Sequence, residues 1–176
     1  QKERELATKA GVTAKVVDWN KVTAVKRMGL DANLYREFFD RFDKDLSAAR
    51  ELLVELTELG ATLAVATGKS RRGLDRAFGT TGLGMFFAAS RCADETHPKP
   101  HPAMLLELTD ELDVPVERTV MIGDSETDVL TARAAGVPVI GVSFGYTQKP
   151  VAEFQPDYVA DSYEELWPLI ERALHS

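Results

Sequence analysis

The stretch Thr119-Val120-Met121-Ile122-Gly123-Asp124-Ser125-Glu126-Thr127-Asp128 decides the fold. Its first five residues make a short apolar run suited to a strand, and the polar residues after them lead into a helix expected over Glu126 to Ala135. Gly136 can take the left-handed conformation that ends helices, and Val137 to Val142 reads as the next strand. Strand, helix and strand in close succession point to a parallel sheet covered by helices.

The same alternation runs outward in both directions. Ser47 is a plausible cap for a helix that continues through Leu52, Leu53, Leu56 and Leu59 to Gly60. Thr62 to Thr67 follows as a short apolar strand of the kind buried on both faces, and Ser70 can cap a helix through Phe78. Met85 to Ala89 reads as a second short strand, Pro102 to Leu112 as a helix with proline near its first turn, and Tyr158 to Ala160 as an edge strand. Tyr163 to Leu174 ends the chain as a helix. Near residue 46 the pattern changes. Between Asp31 and Asp43, Leu34, Tyr35, Phe38, Phe39 and Phe42 recur at helix spacing, which marks an amphipathic helix with an aromatic, domain-covering face.

Composition narrows the function classes. With 176 residues the chain holds one domain, or one and a small appendage, and 44% hydrophobic with 28% charged residues excludes disordered and collagen-like chains. The longest apolar runs, Leu63 to Ala66 and Val137 to Val142, fall far short of the roughly 20 residues of a membrane helix. Cys92 is the single cysteine, so no internal disulfide forms, which fits a cytoplasmic location. Twenty-one Lys and Arg against 28 Asp and Glu give a net charge of −7, which argues against nucleic acid as the partner. An acidic protein that handles phosphate esters needs a cation or a few aimed donors.

In an open parallel sheet, ligands sit beyond the carboxyl ends of the strands. Three loops offer chemistry there. Thr67-Gly68-Lys69-Ser70 brings a hydroxyl and backbone N–H groups to a helix N-terminus, which suits a phosphate group. Gly123 to Asp128 carries two carboxylates, Asp124 and Asp128, a pair suited to a hard cation such as Mg²⁺ with water and substrate oxygens completing the octahedron. His97-Pro98-Lys99-Pro100-His101-Pro102 holds one lysine between stiffening prolines.

Taken singly, each loop has a plainer reading. Gly68-Lys69-Ser70 ends like a P-loop, but the glycine required five residues earlier is Leu63. Ser125 as a nucleophile would want an Asp-x-x-His partner, and the residue at that distance before His175 is Arg172. Asp124 and Asp128 would also serve as a helix cap and a dipole-favoured charge. Prolines forbid one helix through His97 and His101, so these are loop residues, and Cys92 is a small core filler.

In order and spacing, the three loops together resemble motifs two, three and four of the haloacid-dehalogenase (HAD)-like phosphohydrolases, in the phosphoglycolate-phosphatase-like branch. The likeness extends through Arg71 to Phe78, Arg91-Cys92-Ala93-Asp94-Glu95, and Ala134-Ala135-Gly136-Val137 to Phe144-Gly145-Tyr146, covering roughly residues 47 to 174. It implies a HAD-like, Rossmannoid α/β fold: a three-layer, doubly wound parallel sheet over residues 46–176, with residues 1–45 a small helical cap segment. It also implies Mg²⁺-dependent hydrolysis of a small phosphorylated metabolite through a phospho-aspartate. Thr67 and the N–H of Gly68 would hold phosphoryl oxygens, and Lys99 would neutralise nucleophile and phosphate. Asp124 would ligate the metal, with Asp128 assisting or orienting. Charge stabilisation and positioning dominate such phosphoryl transfer.

The resemblance breaks at the family's opening strand, which ends in Asp-x-Asp-Gly-Thr and supplies the nucleophile. The nearest match here is Val16-Val17-Asp18-Trp19-Asn20-Lys21. Asp18 can stand for the nucleophile, but Asn20 replaces the acid and cannot donate and recover a proton as a carboxyl does. That strand would lie centrally, between those bearing Thr67 and Asp124, and its loss would leave unpaired backbone on both neighbours. Three accounts follow: a segment precedes Gln1, residues 14–19 fill the central place, or the chain binds phosphate or a partner without turnover. The ester and the oligomeric state are left open by the sequence.

Overall fold

The computed structural model describes residues 32–175 apart from Tyr146 and Gln148, with side chains from Asp43 onward. The chain divides into two compact units, Gln1–Asp43 and Lys44–Ser176. Of the expected cap only the part from Ala32 is described; Asp18 and residues 14–19 lie outside the described residues.

The first helix, α1, runs unbroken from Ala32 to Glu58. Two helices were expected, with Ser47 capping the second. No glycine or proline interrupts residues 32–58, and Ser47 meets its own polar need inside the helix by donating to Glu51 Oε1 at 3.3 Å. Gly60, at φ +82°, ends the helical segment as expected. There follow β1 (Ala64–Thr67), α2 (Arg71–Thr81), β2 (Ala89–Cys92), α3 (Ala103–Glu111), β3 (Met121–Gly123), α4 (Glu126–Ala135), β4 (Val139–Val142), β5 (Tyr158–Ala160) and α5 (Leu166–Leu174).

The strand expected at Met85 to Ala89 is instead a 3₁₀ turn over Leu83–Phe86, and the strand comes later. Apolarity at Phe86 and Phe87 serves a different purpose. Phe87 stacks on Phe78 of α2 at 5.6 Å between ring centroids, and a Cβ on Gly84 would stand 2.9 Å from the Phe78 ring. The chain thus turns against α2 before it pairs with β1, leaving Met85 74% exposed.

All pairing is parallel. β1 pairs with β2, and β3, β4 and β5 pair in that order, with β5 at the edge as expected. Neighbouring residues of β4 face opposite ways, as the two-residue period of a strand requires. Val139 packs with Leu105, Met121, Val129 and Ala132, whereas Ile140 packs with Leu56, Leu166 and Ile170. Helices α3 and α4 therefore cover one face, and α5 with the end of α1 covers the other. This is the three-layer α/β architecture. Each fully buried aliphatic side chain in these clusters contributes about 1.5–3 kcal/mol.

One expectation about β1 fails. Its residues were to be buried on both faces, yet Ala64 is exposed and Val65 to Thr67 are half-buried; in β3, Ile122 is 39% exposed. Among the described residues no strand lies between β1 and β3; of those residues, β1 pairs with β2 alone and β3 with β4 alone.

Candidate active site

The site grows from the carboxyl ends of β1 and β3. Just beyond β1, Thr67 Oγ1 accepts from the N–H of Lys69 at 3.1 Å, which folds the loop back on itself. Ser70 caps α2, its Oγ accepting from Gly73 N at 3.3 Å. A Cβ on Gly68 would meet nothing within 4 Å, so the space beside that backbone is open to a ligand.

A polar staple fixes this loop to the exit of β2. Arg71 meets Glu95 in a two-pronged ion pair, Nε to Oε1 and Nη2 to Oε2 at 2.7 Å each, while Ala93 N donates to Lys69 O at 3.0 Å. The Arg71 guanidinium and the Cys92 N–H hold the Glu95 carboxyl down to about 2, from 4.5 in the unfolded chain. Because the folded value is the lower one, this contribution to stability is complete above pH 4.5 and is lost as pH falls towards 2. Urea unfolding followed through that window should weaken more steeply for the wild type than for Glu95→Gln. Parallel curves would show that the staple adds nothing.

Lys99 links the two strand ends. Its Nζ donates to Ala66 O, the carbonyl just before Thr67, at 3.2 Å, and also to Asp128 Oδ1. The flanking rings of His97 and His101 stack with centroids 4.5 Å apart, and His101 Nδ1 accepts from Ala103 N at the start of α3, as suits loop residues.

Asp128 is 5% exposed and fully engaged. Its Oδ2 accepts from Ser125 Oγ at 2.7 Å, Ser125 N at 3.1 Å and Asp124 N at 3.2 Å, and Ser125 Oγ accepts in return from Asp128 N. This is a capping box in which Ser125 is the cap and Asp128 the third residue. Burial by itself would raise the Asp128 carboxyl; Lys99 and Ser125 outweigh it and hold the group below the usual carboxylate range. Asp124 lies just before the Ser125 cap, its carboxylate against Gly145, where a Cβ would overlap it. A Cβ on Gly123 would likewise overlap Asp128.

Among the described residues no three His, Cys, Asp or Glu side chains gather to hold a metal. Mg²⁺ needs less: one or two carboxylates, with waters and substrate phosphate for the remainder. Asp124 and Asp128 are carboxylates of this loop, and Asp128 also binds Lys99 and Ser125. Hard oxygen donors of this kind suit a divalent cation, and Asp128 also holds Lys99 and the Asp124 backbone in place.

The sequence profile described as Haloacid dehalogenase-like hydrolase matches residues 4–142. The chain belongs to the haloacid dehalogenase-like hydrolases. A phosphoglycolate phosphatase of Agrobacterium fabrum is 39% identical to this HAD-like chain over 127 residues, covering 72% of it and 54% of that relative. A phosphoglycolate phosphatase of Haemophilus influenzae is 30% identical over 169 residues, covering 89% of the chain and 75% of the relative. The crystal structure of a predicted phosphoglycolate phosphatase from Haemophilus somnus superposes with a TM-score of 0.66 at 25% identity, over 87% of this chain and 73% of that one. These relatives set the chain in the phosphoglycolate-phosphatase-like branch. It spans about half the length of the Agrobacterium relative.

The sequence alone did not bring out Ala66 O or Gly145. Ser125-x-x-Asp128 is a capping-box pattern visible in the letters, with Asp in the place more often held by Glu. Cys92 is fully buried beneath this region and its thiol is pushed up by burial, as befits a core residue. No helix among the described residues is long and apolar enough to cross a membrane.

Proposed function

We propose that this chain provides the core of a cytoplasmic, Mg²⁺-dependent phosphatase that hydrolyses a small phosphate monoester of the phosphoglycolate type. One observation carries the reading: Lys99 reaches both the carbonyl that precedes Thr67 and the carboxylate that orients Asp124. In this reading cationic, hydroxyl and anionic groups from three loops serve one locus at the carboxyl ends of parallel strands, where such folds take their ligands.

In this reading Thr67 Oγ1 and the Gly68 N–H hold phosphoryl oxygens. Lys99 balances the charge that spreads over them as the ester bond breaks. Asp124 attaches the cation, which supplies electrophilic neutralisation of the phosphate, and Asp128 keeps Lys99 and Asp124 aimed. An aspartate carboxylate would attack phosphorus as the P–O bond to the ester's alcohol breaks, the alcohol leaving with a proton taken from water. A second water would hydrolyse the phospho-aspartate to free carboxylate and inorganic phosphate. Asp18 is the candidate in this sequence, outside the described residues.

Asn20, in the place of the expected acid, favours a second reading in which the chain binds phosphate without turnover. Phosphoglycolate hydrolysis and phosphate calorimetry, each with and without chelator, separate the two. Chelator-sensitive release of phosphate supports the phosphatase; chelator-sensitive binding without release supports the second. Failure to bind phosphate overturns both.

A further inference from the structure

Two of the described glycines lie against carboxylates: Gly123 against Asp128 and, from beyond the exit of β4, Gly145 against Asp124. A Cβ on Gly145 would overlap the Asp124 Cβ and Oδ2 and stand 2.7 Å from Cγ. The φ of Gly145 lies outside the left-handed region, so the turn itself does not call for glycine; the close approach does. Both main chains at this contact are held. Ser143, two residues before Gly145, donates from N to Ala160 O at 3.0 Å and from Oγ to Asp161 Oδ1 at 2.6 Å. The Phe144 ring lies 4.6 Å from that of Tyr163, centroid to centroid, and packs on the cluster of Ile140, Leu166 and Ile170. On the other side, Asp124 N donates to Asp128 Oδ2 at 3.2 Å. The soft part of the contact is thus the Asp124 side chain, which can turn about χ1.

We propose that Gly145 is a positioning residue that makes the site selective for a small cation: its bare Cα is the floor that sets how far the Asp124 carboxylate reaches. Gly145 itself touches no cation. The inference rests on the phosphatase reading, in which Asp124 attaches the cation. Ordinary contact with a Cβ begins at 3.4 Å, so a methyl group on residue 145 drives the Asp124 side chain about 1 Å aside. A displacement of that size in a positioned site costs about 100-fold. Mg²⁺ demands near-ideal octahedral geometry at about 2.0–2.1 Å and tolerates such a shift poorly, whereas Ca²⁺ accepts about 6–8 oxygens at about 2.3–2.6 Å in flexible arrangements. The floor therefore discriminates between two ions through the carboxylate of another residue.

The test is calorimetry of the full chain with Mg²⁺ and, separately, with Ca²⁺. Wild type is compared with Gly145→Ala and with a control, Gly79→Ala, where an added methyl group meets nothing within 4 Å. Gly145→Ala should weaken Mg²⁺ binding about 10- to 100-fold and Ca²⁺ binding by less than about threefold, and Gly79→Ala should change neither. A loss of structure alone would not sort the two ions by size. Mg²⁺ binding by Gly145→Ala within about threefold of wild type, or equal losses for both ions, overturns the inference and leaves the phosphatase reading standing. Wild type that binds neither ion at millimolar concentration removes the metal role of Asp124 and the inference with it. Should Gly145→Ala not accumulate as folded protein, the double variant with Asp124→Gly decides. With the Asp124 side chain gone, the methyl group has nothing to overlap and the fold should return. No return overturns the contact.

Discussion

Lys99→Met lowers the unfolding free energy by about 3–5 kcal/mol, the usual cost of stripping one partner from a buried ion pair. The side chains of Lys99 and Asp128 are only 14% and 8% exposed, and Asp128 has no water-rich surroundings in which to carry its charge alone. Methionine preserves most of the lysine stem, so lost packing contributes little. The diagnostic companion is Lys99→Met with Asp128→Asn. Asparagine can still accept from the Ser125 and Asp124 N–H groups through its side-chain oxygen, and the stranded charge is gone, so the double variant should recover much of the loss. Urea melts at pH 7 measure both. A single variant within about 1 kcal/mol of wild type, or a double variant whose loss equals the sum of the two singles, would mean that the pair is not the linked unit described here.

Asp124→Asn has the second large effect. Asparagine matches aspartate in shape and leaves the capping box of Ser125 and Asp128 intact, so circular dichroism and the melt should barely change. Chelator-sensitive phosphate release, or binding if that is all the chain does, should fall about 100- to 1,000-fold, the range seen when one preorganised charge-stabilising group is removed. The residual activity should respond little to added Mg²⁺. A variant that keeps its rate and its cation dependence would remove Asp124 from the metal role.

What was legible in the letters is what is local. Helix α4 and its Gly136 ending appear as read, because an apolar repeat and a left-handed glycine fall within a dozen positions, but its cap is Ser125 rather than Asp124, since Ser125 Oγ reaches the Asp128 N–H. Ser47 misled because serine before an apolar repeat looks the same whether it starts a helix or sits inside one with Glu51 a turn away. Phe86 and Phe87 misled because an apolar run does not reveal what it packs against; here the partner is α2 rather than a sheet. The three loops of the site were found through their resemblance to a family, but how they meet was not. Lys99 takes its partners 33 positions back and 29 positions on, separations that no periodicity encodes. Nor does the sequence say that Gly145 makes room for the Asp124 carboxylate.

Asp128 closes the first turn of a helix and neutralises a buried lysine with the same carboxylate. Natural variation at this position is therefore filtered by the cell's quality control before any catalytic assay can register it. Random mutagenesis scored by activity in lysates would rank residue 128 among the most sensitive sites in the protein, and the reason would be scarcity of folded molecules rather than a slower reaction. Sorting such libraries first by abundance would separate this residue from Asp124, whose substitutions should accumulate to normal levels and fail only at the bench.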